Sequence, residues 1–215
     1  MVNPTSRDPR AGVLALQGSF EPHEVLLRRL GLAPVRVTRA EHLDGLTHLV
    51  IPGGESTTMH KLLTDYALTD PLRRAWSEGL SIFGTCAGAI LLGRAPGEEP
   101  PPRLCLADVV VHRNAYGRQV DSFAEEIFLE GLRRPFRCVF IRAPRFSSPG
   151  PSLQVLGSRN GEPILLRGER LLLGAFHPEL TQDPAIHELF VFGSEPAPCM
   201  VAPGAGSVVE GESRN

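Results

Sequence analysis

The 215-residue chain is nearly devoid of lysine: of its 22 basic residues only Lys61 is lysine, and the other 21 are arginine. Because His60 precedes that single lysine, no G-x-x-x-x-G-K-[ST] phosphate loop can be written. Lysine Schiff-base chemistry would rest on Lys61 alone, with nothing near it in sequence to activate it. Aromatic residues make up only 6%. The four cysteines, Cys86, Cys105, Cys138 and Cys199, form no C-x-x-C pair. That spacing argues against a zinc knuckle or a dithiol redox site, and cysteines this sparse do not make a disulfide scaffold. Neither sign of charge dominates, with 24 acidic against 22 basic residues and a net charge of −2, so no strong field recruits nucleic acid or an anionic membrane. The uncharged run from Leu80 to Gly93 is 14 residues long and broken by glycines, too short to cross a bilayer. After Arg10 the apolar stretch Ala11–Leu16 stops at Gln17 with no small-residue cleavage site, so it reads as a buried strand rather than a signal peptide. These features suit a cytoplasmic protein.

With 42% hydrophobic residues the chain can bury one good core or two very small ones. Residues 1–10 read as a loose arm, 11–193 as a single domain without internal repeats, and 194–215 as a disordered tail rich in Gly, Pro, Ser and Glu. Pro96–Pro102 can only be a surface loop.

In the first half, short apolar runs alternate with helix-period segments. Strands are predicted at Gly12–Leu16, Val35–Val37, Leu46–Ile51 and Leu80–Phe83. Helices are predicted at Glu21–Leu30 (with Val25, Leu26, Leu27 and Leu30 inward and Gly31 ending it) and from about Ser56, Pro71 and Ala87. In the second half six strands follow with little helix between them, at Val109–Val111, Phe123–Phe128, Phe136–Ile141, Gln154–Leu156, Ile164–Leu166 and Leu171–Phe176. A last helix is predicted at about Pro184–Phe192. The expected fold is α/β, with a mostly parallel open sheet covered on both faces and a β-rich addition from the second half.

Three stretches carry chemistry. Gly84-Thr85-Cys86-Ala87-Gly88 lies between a predicted strand and helix, the thiol form of a nucleophile elbow. The helix that follows favours a thiolate, and the Ala87 N–H would face an oxyanion. The alternative is a small buried cysteine in a plain glycine turn. In His177-Pro178-Glu179, directly after a strand, an extended backbone would point residues two apart the same way, so Glu179 could hold the histidine tautomer. The alternative is an ordinary strand-to-loop corner. The other six histidines (His23, His42, His48, His60, His112 and His187) have no comparable acid partner nearby in sequence, and most are expected at the surface. Pro52-Gly53-Gly54-Glu55-Ser56-Thr57-Thr58 could offer a second oxyanion donor, or be a strand-to-helix turn with Ser56 as N-cap, or both. In an open parallel sheet the carboxyl ends of the strands form the ligand crevice, so the three stretches can converge, which implies acyl transfer through a thioester.

The Pro52–Thr58, Phe83–Gly88 and Phe176–Thr181 stretches resemble the class I, triad-type glutamine amidotransferases, whose fold is a three-layer α/β/α flavodoxin-like sheet. More narrowly, Gly12–Gly18, Arg113–Phe123 and Phe140–Pro144 resemble the glutaminase subunits of ribose-5-phosphate-dependent pyridoxal 5′-phosphate synthases. The likeness runs from about Gly12 to Phe192. It implies hydrolysis of L-glutamine to L-glutamate and ammonia, with Cys86 as nucleophile, His177 as base and then acid, and Glu179 orienting it. It places glutamine binding at Gly54, Glu55, Ser56, Arg113, Ile141 and Arg142, and the oxyanion hole at Gly54 and Ala87. It needs no cofactor or metal, and implies a (β/α)₈-barrel synthase subunit as partner, with Gln17 near the interface. The run Ser19–His23 after Gln17-Gly18, His112 before Arg113, and the long tail all depart from the family pattern, and none of them touches the triad. A cysteine hydrolase for other amides and a non-enzymatic module on the same scaffold remain the competing readings.

Overall fold

In a computed structural model the described residues are 8–97, 104–113 and 122–193. The expected tail, most of the arm, most of the proline loop and the segment 114–121 lie outside them. Eleven strands and five α-helices are described. The strands are β1 (Ala11–Leu14), β2 (Val35–Val37), β3 (His48–Ile51), β4 (Ser81–Thr85), β5 (Val110–His112), β6 (Phe123–Ile127), β7 (Phe136–Phe140), β8 (Arg145–Ser147), β9 (Gln154–Arg159), β10 (Glu162–Arg167) and β11 (Leu171–Gly174). The helices are α1 (Phe20–Arg29), α2 (Ser56–Asp65), α3 (Thr69–Ser77), α4 (Ala87–Leu92) and α5 (Ala185–Phe192).

Seven strands form the central sheet in the order β2-β1-β3-β4-β11-β10-β9. The first five are parallel, and β10 and β9 extend the sheet antiparallel. Two short antiparallel pairs, β5 with β8 and β6 with β7, complete the β-rich second half. The fold is therefore the mostly parallel α/β sheet expected of the sequence.

Chain direction dictates the layers. The β1-to-β2 connection through α1 moves one way along the sheet and the β3-to-β4 connection through α2 and α3 moves the other. Right-handed crossovers then place α1 and α2 on opposite faces. The central strands are apolar along their whole length, as strands covered on both faces must be: Ala11–Leu14 and Leu171–Gly174 are buried throughout.

Two details of α1 differ from expectation. Val25 faces solvent, 46% exposed, whereas His23 and Glu24 are buried. Glu24 is tolerated inside because it accepts hydrogen bonds from Arg36 (2.6 and 3.1 Å) and Arg28 (3.0 Å), and those guanidinium partners hold its carboxyl below the usual range against the effect of burial. A short strand, β8, escapes sequence reading because Arg145-Phe146-Ser147 holds a single apolar residue, too little to mark a strand.

Candidate active site

The sheet order β1-β3-β4-β11 sets out the site residues in sequence, each just past the carboxyl end of its strand: Gln17, the Gly53-Gly54 loop, Cys86 and His177. Ile51 pairs with Gly84, and Thr85 with Gly174, so these strands end level and their loops rise together.

Cys86 sits between β4 and α4 at φ +47° and ψ −101°, a backbone region that costs a non-glycine residue about 1–3 kcal/mol. The surroundings enforce it. The Cys86 amide donates to the Gly174 carbonyl oxygen (2.8 Å), and the Cys86 carbonyl accepts from the Ile90 amide (3.1 Å). The glycines two residues either side permit the turn. A Cβ on Gly84 would lie 2.8 Å from the Gly88 carbonyl carbon, and one on Gly88 would lie 2.1 Å from the Ile51 carbonyl oxygen. The Ala87 amide belongs to the first turn of α4 and has no intrahelical acceptor.

His177 follows β11, and its amide donates to the Val139 carbonyl oxygen (2.8 Å), which ties it to β7. Its Nδ1 is 2.7 Å from Glu179 Oε1. The link between them is not the extended one expected: Pro178–Leu180 forms a single 3₁₀ turn, with the Leu180 amide donating to the His177 carbonyl oxygen (3.3 Å) and Pro178 supplying its fixed φ at the start. The turn folds Glu179 back beneath the ring. Burial opposes charge on this imidazole, but its interactions with Cys86 and Glu179 outweigh that and raise it to about 10. The Cys86 thiol is oriented toward the Ile141 carbonyl oxygen (3.9 Å), and His177 Nε2 has no aligned hydrogen-bond partner among the described residues. Raised this far, the ring is charged at neutral pH, so Nε2 is the nitrogen on which a proton taken from sulfur would reside. Burial pushes the Glu179 carboxyl up, yet His23 and His177 hold it below its usual value.

The Gly53-Gly54 loop borders the same space. A Cβ on Gly53 would be 2.5 Å from His177 Cε1 and 3.5 Å from Cys86 Cβ, so only glycine fits there. The Gly53 carbonyl accepts from the Ser19 amide (3.1 Å), and Gln17 Oε1 accepts from the Glu55 amide (3.0 Å). Since a trans peptide directs its C=O and N–H oppositely, the Gly54 N–H faces away from Ser19. Ser56 is the first residue of α2 rather than its cap; Glu55 holds the cap position and makes no capping hydrogen bond from its side chain. Arg113 donates to Thr57 Oγ1 (2.9 Å) and Arg142 lies 3.5 Å from Glu55, so both arginines reach the loop from the second half of the chain. These contacts link Gln17 to Glu55, Glu55 to Arg142, Thr57 to Arg113 and Cys86 to Ile141, around the Cys86, His177 and Gly53 positions.

The histidines correct the sequence reading most. Most of the six other than His177 were expected at the surface, but His23 and His187 are fully buried, and His23 Nε2 lies 3.4 Å from Glu179 Oε2, so the Ser19–His23 run touches the triad it was expected to leave alone. His42, His48, His60 and His112 are partly exposed, and His112 contacts Ser147 Oγ (2.7 Å). Helix periodicity offered a signal, because His23 lies on the same face of α1 as the apolar Leu26 and Leu27.

A family model described as the SNO glutamine amidotransferase family matches residues 13–195. The chain belongs to this family. It is 49% identical over 182 residues (84% of this chain, 95% of the relative) to the pyridoxal 5′-phosphate synthase subunit PdxT of a Thermus thermophilus strain. It is 48% identical over 184 residues (85% and 93%) to the protein of that name from Pelotomaculum thermopropionicum. A solved structure described as a glutamine amidotransferase is 47% identical, with a TM-score of 0.80 over 85% of this chain and 97% of the other. Among the described residues of this family member, no helix is long and apolar enough to cross a membrane.

Proposed function

We propose that this chain is the glutaminase component of a pyridoxal 5′-phosphate synthase, hydrolysing L-glutamine to L-glutamate and ammonia and passing the ammonia to a synthase subunit. The observation that carries this reading is the strained Cys86 beside the His177–Glu179 pair, in a member of a glutamine amidotransferase family. The likeness to the named synthase subunits supports the narrower assignment.

His177 Nε2 takes the thiol proton, and Cys86 Sγ attacks the carboxamide carbon of glutamine. The oxyanion is held by the amides of Ala87 and Gly54, each such donor being worth on the order of 10²–10³ in rate. The imidazolium then protonates the leaving nitrogen, ammonia departs, and water hydrolyses the γ-glutamyl thioester with His177 again as base. Glu179 holds Nδ1 protonated throughout, so that Nε2 is the nitrogen that exchanges protons. Gly54, Glu55, Ser56, Arg113, Ile141 and Arg142 bind glutamine, with an arginine suited to its α-carboxylate. Ammonia that escaped into bulk water would be protonated and lost, which is why a consuming partner is required. That partner is a (β/α)₈-barrel subunit docking near Gln17, whose contact with Glu55 links the interface to the Gly53-Gly54 loop. The working unit is residues 11–193.

The test is ammonia release from glutamine, with and without the synthase subunit, for the parental chain and Cys86→Ala. The variant should fold and be inactive in both conditions. Turnover by Cys86→Ala would overturn the assignment.

A further inference from the structure

The triad accounts for only one oxygen of Glu179. Oε1 meets His177 Nδ1 at 2.7 Å, while Oε2 lies in a fully enclosed space shared with two histidines that the mechanism above does not use. His23, from α1, reaches this space with Nε2 3.4 Å from Glu179 Oε2 and 3.3 Å from Thr85 Oγ1. Its other nitrogen, Nδ1, is 2.8 Å from Nε2 of His187, on α5. Both imidazoles are completely buried, and they pack edge-on to Phe83 beneath the sheet (6.3 and 5.7 Å between ring centres). Among the described residues no group of three His, Cys, Asp or Glu side chains is arranged to hold a metal ion, so the cluster is not explained that way.

The proton positions follow from satisfying this network. If Nδ1 of His23 carried the hydrogen, a lone pair on Nε2 would face the carboxylate. His187 would then have to accept at Nε2, which would leave an N–H at its Nδ1, which has no hydrogen-bond partner among the described residues. With the hydrogen on His23 Nε2 instead, the N–H lies between its hydrogen-bond partner Thr85 Oγ1 (3.3 Å) and Glu179 Oε2 (3.4 Å), and His187 Nε2–H donates to His23 Nδ1. On His187 the atom left unpaired among the described residues is then an acceptor at Nδ1, the cheaper kind to orphan, while Glu179 Oε2 has no aligned hydrogen bond of its own. Burial agrees, since it lowers both rings, His23 against the pull of Glu179 and His187 with the added repulsion of His23. At 3.4 Å the His23–Glu179 contact is longer than a well-formed hydrogen bond, so it acts by directing an N–H dipole at the oxygen.

We propose that His23, fixed in one tautomer by His187, is a positioning residue for the triad: its Nε2–H anchors Glu179 Oε2, keeping Oε1 ionised and aimed at His177. The chain of contacts from Cys86 thus extends past the triad through Glu179 to His23 and His187, from β4 and β11 to α1 and α5. His23 touches neither glutamine nor sulfur, so it acts through the orientation of Glu179 alone. This rests on reading Cys86, His177 and Glu179 as the catalytic residues.

Two variants separate the roles, assayed for glutaminase activity with the synthase subunit present. In His23→Gln the amide nitrogen can occupy the Nε2 position and still donate to Glu179. In His23→Asn the amide reaches only the Nδ1 position, keeping a partner for His187 but losing Glu179. The expected result is kcat close to parental for Gln and a loss of roughly ten- to a hundredfold for Asn, with KM for glutamine unchanged in both. Equal kcat for the two variants, or a change confined to KM, would overturn the proposal. A second measurement needs no variant. Histidine nitrogen NMR on the unaltered complex should find His23 and His187 both protonated at Nε2 only, and His23 protonated at Nδ1 would refute the proposal even if neither variant folds. If Cys86→Ala retained turnover, the triad reading itself would fail. Inactive Cys86→Ala with indifferent His23 variants would remove only the role of His23.

Discussion

The Ser19 amide donates to the Gly53 carbonyl oxygen at 3.1 Å, and this bond sets which way the Gly53–Gly54 peptide faces. One loop, after β1, thereby governs a donor on the next, after β3. A partner that engaged residues around Gln17 would act on the Gly54 amide through contacts already in place. The same closeness makes the loop intolerant of added atoms, because Gly18, Gly53 and Gly54 all pack against neighbours where a Cβ would collide.

Gly53→Ala should therefore abolish glutaminase activity without unfolding the chain. Its new methyl would overlap His177 Cε1 (2.5 Å) and Nδ1 (2.9 Å), pushing the ring off Glu179. The expected loss is on the order of 10²-fold or more in kcat, as for other displacements of a catalytic base. Parental kcat with an unchanged melting temperature would show that the ring can relax without cost.

Glu179→Gln keeps the shape but presents an amide where His177 and His23 need a carboxylate. An amide nitrogen at the Oε1 position would push His177 toward the wrong tautomer, and replacing the acid of such a triad costs up to about 10⁴ in kcat. We expect kcat to fall by at least about 10²-fold while the fold persists. Steady-state kinetics beside a thermal melt would decide. Activity within a few-fold of parental would mean that the tautomer is fixed elsewhere.

The elbow, the His-Pro-Glu corner and the strand–helix alternation were legible in the sequence because each rests on local signals: glycines at fixed offsets, apolar runs of strand length, and chemistry at strand ends. The buried histidines were not. His23 and His187 are 164 residues apart and meet only because α1 and α5 pack on the same side of Phe83, a relation of tertiary packing and not of spacing. The link from His177 to Glu179 was misjudged for a related reason. Pro178 fits both an extended segment and the first position of a 3₁₀ turn, and the choice is made by the backbone hydrogen bond from Leu180 to His177.

Gly88→Ala should test packing rather than chemistry. The added methyl would lie 2.1 Å from the Ile51 carbonyl oxygen and 2.9 Å from its carbon, both backbone atoms of a central strand that cannot swing aside. Overpacking of this kind costs about 1–3 kcal/mol or more, lowering Tm by roughly 2–4 °C per kcal/mol in a domain of this size. Calorimetry giving an unchanged Tm would show that α4 can lift from β3 freely.

Stability should depend on pH in two opposite ways around the buried histidines. His23 and His187 are held below their ordinary 6.5, chiefly by burial, so below that pH the unfolded chain binds more protons and the fold loses stability. His177 is raised to about 10, so its contribution is complete below 6.5 and is lost as pH climbs from there through about 10. Glu179, held below its ordinary 4.5, adds a further loss only at more acid pH. Melting temperatures across pH 5–10 should therefore peak near 6.5. Cys86→Ala should flatten the alkaline limb, since it removes one of the interactions that raise His177, and His187→Gln should flatten the acid limb. An alkaline limb unchanged by Cys86→Ala would show that the thiol and the imidazole are not coupled.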